Sequence, residues 1–321
     1  MSGRMWPLVV VGATLVTVGC GGRQERAEDE HRAAAGRARA AIAPIVQVDW
    51  KALEQAMGQP GAMQPGDVYK FGLPRSDLTV AVDRIRLKPA LALGSWVAFK
   101  ATSAGAIAMG DLVLQDEEIE PVMAKLAEGG IDVTALHHHV LHETPRVYYM
   151  HIHGAGDAVK LAQAIRAALA LTKTPPSGST TAPRFASPLG LDTVRIAQAL
   201  GHSGKVNGGV YQVSVARPDT IRDDRVVIPA AMGVATALNF QPTGGGKAAI
   251  TGDFVLQAAE VNPVLRALRA HGIDVTAVHN HMLGDEPRLF FMHFWAVDDA
   301  VRLAQGLRAA LDLVGHASRA S

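Results

Sequence analysis

The chain repeats itself, and this constrains its fold more than any composition figure. Gly110-Asp111-Leu112-Val113-Leu114-Gln115 returns as Gly252-Asp253-Phe254-Val255-Leu256-Gln257, and the stretch from Gly130 to Ala135 returns from Gly272 to Ala277. Pro145 through His151 matches Pro287 through His293 at the same offset of 142 positions. About half of the positions from 110 to 169 recur without a gap, so one structural unit is present twice. Earlier parts match more loosely, Val68-Tyr69 with Val210-Tyr211 and Arg75 and Asp77 with Arg217 and Asp219. The Pro/Gly/Ser/Thr segment at 173–186 reads as a linker, leaving repeat domains at 45–172 and 187–315.

Inside each copy the hydrophobic period alternates. Asp49 and Asp192 are placed to cap short helices that end near Gly58 and Gly201. Extended runs follow in copy one near 67–74, 82–88, 95–102 and 106–114. A helix comes next, with Ile119, Val122, Met123 and Leu126 on one stripe, Gly129-Gly130 at its end and Pro121 expected in its first turn. A hairpin then runs through 131–141 and 146–152, and a last helix carries Val159, Ala162, Ile165 and Leu169. The fold class is α+β: two homologous repeats, each an antiparallel sheet with helices on one face, packed as a pseudo-dimer. That packing is expected to bury Tyr149 and Phe291 and bring the two hairpins together.

The first 20 residues form an address. Arg4 precedes an apolar run from Trp6 to Val18, too short to span a bilayer, and the run ends at Cys20. This resembles a bacterial lipoprotein signal in which Cys20 is lipidated and becomes the mature N-terminus. Residues 21–44 are Ala-rich and charged and read as a disordered tether. The expected location is the cell envelope, lipid-anchored and facing the periplasm or exterior.

The repeated strings Gly272 to Met282 and Pro287 to Trp295 resemble the LppY/LpqO family of bacterial lipoproteins, a duplicated domain of unknown function. The resemblance spans nearly all of residues 45–315. It implies an envelope lipoprotein and brings no catalytic residues.

Composition excludes several functions. With 31 basic and 30 acidic residues and a formal charge of +1, there is no electrostatic footprint for nucleic acid. A single cysteine rules out an intramolecular disulfide and any cysteine-built zinc or iron–sulfur site. Gly244-Gly245-Gly246-Lys247 lacks P-loop spacing and reads as a hairpin turn, and no nucleotide cofactor is expected. Histidines carry the chemistry instead. Nine of 13 fall in the hairpins: His137, His138, His139, His142, His151 and His153, then His279, His281 and His293. Alternation puts His137 with His139, and His279 with His281, on one face each. An i, i+2 pair plus one imidazole from the adjacent strand makes a three-His site suited to Zn, with Cu or Ni as alternatives. Hairpin register decides whether His151 and His293 share that face, and the sequence leaves it open. Buried, hydrogen-bonded histidines without a metal are the other reading.

His138 and His142 lack counterparts in copy two and read as surface residues, and His31, His202, His271 and His316 as isolated ones. Among the acids, Asp111 and Asp253 leave a strand just before a helix, while Glu118 and Glu260 sit in a first helical turn. Helix-end stabilisation is their ordinary role; Glu118 and Glu260 are also the candidate proton carriers of a catalytic site. Arg146 and Arg288 could bind an anion or pair with Glu143 and Asp285. Three functions follow: an envelope lipoprotein that binds a metal or small ligand through its hairpins, a metal-dependent hydrolase or lyase, or a non-catalytic adaptor.

Overall fold

Each copy builds one six-stranded antiparallel sheet, and the two sheets face each other across a shared seam. The computed structural model describes residues 44–175 and 189–315. The signal at 1–20 with Cys20, almost all of the tether and most of the linker lie outside them, as do His31 and His316. From Ile45 onward the described residues belong to a single unit.

Copy one starts with α1 (Trp50–Met57), β1 (Ala62–Gln64) and β2 (Val68–Pro74). The short β3 (Ala81–Val82) and β4 (Ile85–Arg86), α2 (Pro89–Ala92), β5 (Gly94–Thr102) and β6 (Gly105–Leu114) follow. It ends with α3 (Asp116–Glu128), β7 (Asp132–His137), β8 (Glu143–Thr144), β9 (Tyr148–Gly156) and α4 (Ala158–Leu169). Copy two opens with α5 (Thr193–Leu200), β10 (Lys205–Asn207), β11 (Val210–Ala216), β12 (Arg222–Asp223) and β13 (Val226–Val227). It continues through a 3-10 turn (Ala230–Met232), β14 (Ala235–Gly244), β15 (Lys247–Gln257) and α6 (Ala258–Ala270). It closes with β16 (Asp274–His279), β17 (Asp285–Glu286), β18 (Leu289–Asp299) and α7 (Ala300–Leu311). The sheets run β1-β2-β5-β6-β9-β7 and β10-β11-β14-β15-β18-β16, and small sheets β4-β3-β8 and β13-β12-β17 flank them.

Local signals fix most of these elements. Asp49 accepts from the amides of Lys51 and Ala52, Asp192 from that of Arg195, and Gly58 and Gly201 end their helices at φ 74° and 71°. Gln115 and Glu118 form a capping box at α3, which Gln257 and Glu260 repeat at α6. Two expectations need correction. The run at 82–88 is no single strand, because Asp83 at φ 53° turns the chain between β3 and β4. Pro121 lies in the second turn of α3, since the helix begins at Asp116. The carbonyl it leaves unbonded, that of Glu117, belongs to an exposed residue and can be hydrated.

The central strand β6 shows how one sequence serves two layers. Ala106, Ala108, Leu112 and Leu114 point under the helices and pack with Val122, Leu126, Leu161 and Ile165. Ile107, Met109 and Val113 point to the opposite face, into the seam. Two mixed apolar clusters fill that seam, one joining Val68, Ile107 and Met109 to Met232, Val255 and Phe291, the other joining Leu93, Val113 and Tyr149 to Val210. Tyr149 and Phe291 are buried there, as the pseudo-dimer requires. The seam is also hydrogen-bonded: Lys70 donates to the Ala231 carbonyl and Gln212 to that of Ala90, while Gln241 accepts from Lys88 and donates to the Arg86 carbonyl.

Candidate metal centre

A β-bulge sets the register that brings the histidines together. In copy one Val133 pairs with Ile152, but Ala135 pairs with His151, so the ladder slips by one residue at Thr134. Copy two slips in the same way at Thr276, with Val275 opposite Phe294 and Ala277 opposite His293. The slip flips every later side chain. Val133 and Val275 therefore pack under the helices, while His137, His151, His279 and His293 face the seam.

All six candidate ligands meet there around a pseudo-twofold axis. His137 and His279 stack at the axis with ring centres 3.6 Å apart. On one side His139 lies 3.8 Å from His293, and on the other His281 lies 3.8 Å from His151. Tyr149 backs His139 at 3.3 Å, and Phe291 backs His281 at 3.4 Å. Every one of these imidazole–imidazole contacts crosses from one repeat to the other. The expected triads, one inside each hairpin, are thus replaced by sets that mix the repeats. Nitrogen atoms within 4.8 Å of one another come from His137, His279 and His293, and from His151, His279 and His281.

Backbone carbonyls fix the tautomers. His293 donates from Nδ1 to the Gly252 carbonyl at 2.7 Å, His281 to that of Gly233 at 3.2 Å, and His279 to that of Asn280 at 3.1 Å. A carbonyl only accepts, so Nδ1 carries the proton and Nε2 presents a lone pair, as metal-binding histidines do. The Gly-Asp motif gains its meaning here. A Cβ at Gly252 would overlap the Ala237 carbonyl on the neighbouring strand, and one at Gly110 would crowd that of Trp96. Only glycine lets the strands approach while its own carbonyl holds a histidine.

Asp111 and Asp253, read from sequence mainly as helix-end acids, stand at the two flanks. Asp253 Oδ2 comes within 3.2 Å of His281 Nε2, and Asp111 Oδ2 within 3.5 Å of His139 Nε2, neither with hydrogen-bond geometry. The Nε2 atoms of His139, His151, His279 and His281 and the Oδ1 atoms of both aspartates are buried without a hydrogen-bond partner. So many orphaned donor atoms aimed at one volume are costly unless something else joins them. His137 Nε2 and His293 Nε2 lie 3.2 Å apart, close to the ~3.3 Å between two nitrogens on one tetrahedral zinc.

Burial keeps the imidazoles neutral. It lowers His279 and His293 to about 4 and holds His137, His139, His151 and His281 below the usual histidine range, reinforced by the neighbouring rings. Burial also raises Asp253 to about 6 and lifts Asp111, with Asp253 adding to the latter. A neutral, desolvated set of nitrogen ligands beside two carboxylates is suited to a borderline divalent cation.

The other candidates lie elsewhere. Glu118 is bound by Arg75 at 2.7 Å and by the amides of Gln115 and Lys173, and Glu260 by Arg217 at 2.6 Å and the amides of Gln257 and Gly315. Asp77 and Asp219 complete these buried ion pairs, which accounts for the loose match of Arg75 and Asp77 with Arg217 and Asp219. Both glutamates are thus engaged in structure, and the carboxylates beside the histidines are Asp111 and Asp253. Arg288 pairs with Asp285 at 3.0 Å, while Arg146 is exposed. His138 is half-buried against Glu143 rather than on the surface, and His153 reaches across the seam to Asp223 at 3.5 Å.

No curated protein matches the chain. Two solved structures are similar at low identity. One is the trimeric bacterial microcompartment shell protein PduB, with 14% identity over 79% of this chain and 89% of that one at TM-score 0.20. The other is EtuB from Clostridium kluyveri, with 9% identity over 80% and 90% at TM-score 0.19. At those scores neither bears on fold or function. The family described as Domain of Unknown Function (DUF1259) matches residues 51–171 and 194–313, once per repeat, and the chain belongs to that family.

Proposed function

We propose that the protein binds a transition-metal cation, of the zinc, copper or nickel class, in the seam between its repeats. The observation that carries this reading is the convergence of four buried, unpartnered histidine Nε2 atoms and two unpartnered carboxylate oxygens. A purely structural cluster would satisfy these atoms within the protein. The test is elemental analysis of the full chain, purified in detergent without a histidine tag, followed by titration with Zn, Cu(II) and Ni. Bound metal, or uptake with submicromolar affinity, is the expected result. Neither being found would leave the adaptor reading, in which the histidines only pack.

The finer reading places the protein in the cell envelope as an LppY/LpqO-like lipoprotein anchored through Cys20. The sequence of residues 1–20 supports it. Mass spectrometry of the membrane fraction should find the mature N-terminus at a lipidated Cys20, and Cys20→Ser should abolish that modification. Metal-dependent hydrolysis or lyase chemistry is compatible with the same centre. Half-burial of His137 and His279 would admit a small molecule, and Asp111 or Asp253 would hold the proton in place of Glu118 or Glu260.

A further inference from the structure

Resting on the metal-binding reading, we infer that the seam holds two cations rather than one, each bound by a triad that exchanges a histidine between the repeats. One triad is His279 and His281 with His151; the other is His137 and His139 with His293.

The donor count is the first argument. Six imidazoles and two carboxylates converge, whereas one tetrahedral ion takes four ligands. A single ion would leave buried nitrogen atoms unpartnered on the far side of the axis. The second argument is symmetry. The nitrogen sets within 4.8 Å both contain His279, so two ions could not each have a private set. Replacing His279 by His139 in the first removes the conflict and makes the triads pseudo-twofold mates. Their ring centres then lie 5.1, 3.8 and 5.2 Å apart in one and 5.1, 3.8 and 5.4 Å in the other. Each imidazole is used once, and each triad has its own flanking carboxylate, Asp253 beside His281 and Asp111 beside His139. Asp253 Oδ2, 3.2 Å from His281 Nε2, and Asp111 Oδ2, 3.5 Å from His139 Nε2, offer an oxygen ligand to each ion. The class of small ligand that such a pair takes between its ions is an oxygen donor: hydroxide, or a carboxylate or phosphate oxygen.

The probe is Co(II) added to the full metal-free chain, followed by its visible ligand-field absorption and by bound metal after desalting. Two equivalents per chain are expected in the wild type. His139→Ala and His281→Ala should each retain one, and the double variant none, with far-UV circular dichroism confirming that each remains folded. If a variant misfolds, the wild-type stoichiometry still decides. One equivalent in the wild type, or an unchanged count in His139→Ala, overturns the two-ion arrangement while leaving metal binding intact. No equivalent at all overturns the metal-binding reading itself.

Discussion

Thr134 donates its hydroxyl to the main-chain carbonyl of His281 at 2.6 Å, and Thr276 returns the same bond to His139 at 2.6 Å. Each bulge residue therefore does two things. It flips its own strand so that the following histidines face the seam, and it holds the histidine loop of the other repeat. Thr134→Val keeps the β-branched shape but leaves the His281 carbonyl without its donor. The expected loss is about 1–3 kcal/mol in denaturant unfolding, with weaker binding at the triad containing His281. Thr276→Val should do the same for His139. Unchanged stability in both variants would mean that water replaces the hydroxyl without cost.

Acid should destabilise the metal-free protein well above the carboxylate range. His279 and His293 titrate near 4 in the fold against 6.5 when unfolded. The unfolded chain therefore binds more protons as pH falls from about 6.5 toward 4, and stability drops over that window. Asp253, raised to about 6, works in the opposite sense, because its folded form takes a proton before its unfolded form does. Asp111 is raised too and acts in the same sense, but the histidines outnumber the two aspartates, since His137, His139, His151 and His281 shift downward as well. Melting temperature measured from pH 7 to 4 should fall steadily, and adding zinc at pH 7 should raise it. A flat profile across this range would show that the cluster is hydrated.

Most of the architecture was legible in the sequence because duplication tests every reading twice. The apolar strand positions Tyr149 and Phe291, left uncovered by sheets with helices on one face, pointed to the seam between them. The six histidines were legible as a recurring pattern, but their grouping was not. Register hung on one inserted residue, and the sign of that insertion is the competition between Val275 and Ala277 on one side and Val278 and Met282 on the other. Once Thr276 is bulged out, Val275 packs under the helices and Met282 in the seam, while Val278 stays exposed. Nothing local distinguishes Asp111 and Asp253 from Glu118 and Glu260, so the sequence alone makes all four helix-end acids. Only the cross-strand pairing of Asp111 with His151, and of Asp253 with His293, puts them beside the imidazoles.

Arg75 and Arg217 provide the control that separates structure from site. Arg75 is fully buried and binds Glu118, Asp77 and the Val113 carbonyl, none of which touches a histidine of the cluster. Arg75→Met strands the Glu118 carboxylate in the interior and should cost about 3–5 kcal/mol. Metal stoichiometry at low temperature should not change. A variant that loses metal while keeping wild-type stability would contradict this assignment.

Lys70 gives the last prediction, and its sign is opposite. Its ammonium lies 3.9 Å from the ring centre of Trp96 and donates to the Ala231 carbonyl, and burial lowers its pKa to about 8. The residue at the matching place in copy two is Gln212, which makes the equivalent bond to the Ala90 carbonyl without any charge. Lys70→Gln should therefore keep the cross-repeat hydrogen bond while removing a charge that the fold desolvates. The unfolded chain holds its lysine proton up to about 10.5, whereas the folded chain releases it near 8. In that interval the wild type gains stability as pH rises, and the variant has no such term. At pH 7 the variant should be more stable by up to about 3 kcal/mol, and the difference should shrink between pH 8 and 10.5. Paired thermal melts at pH 7 and pH 10 would measure both effects. A less stable variant at pH 7 would mean that the contact with Trp96 outweighs the cost of burying the ammonium.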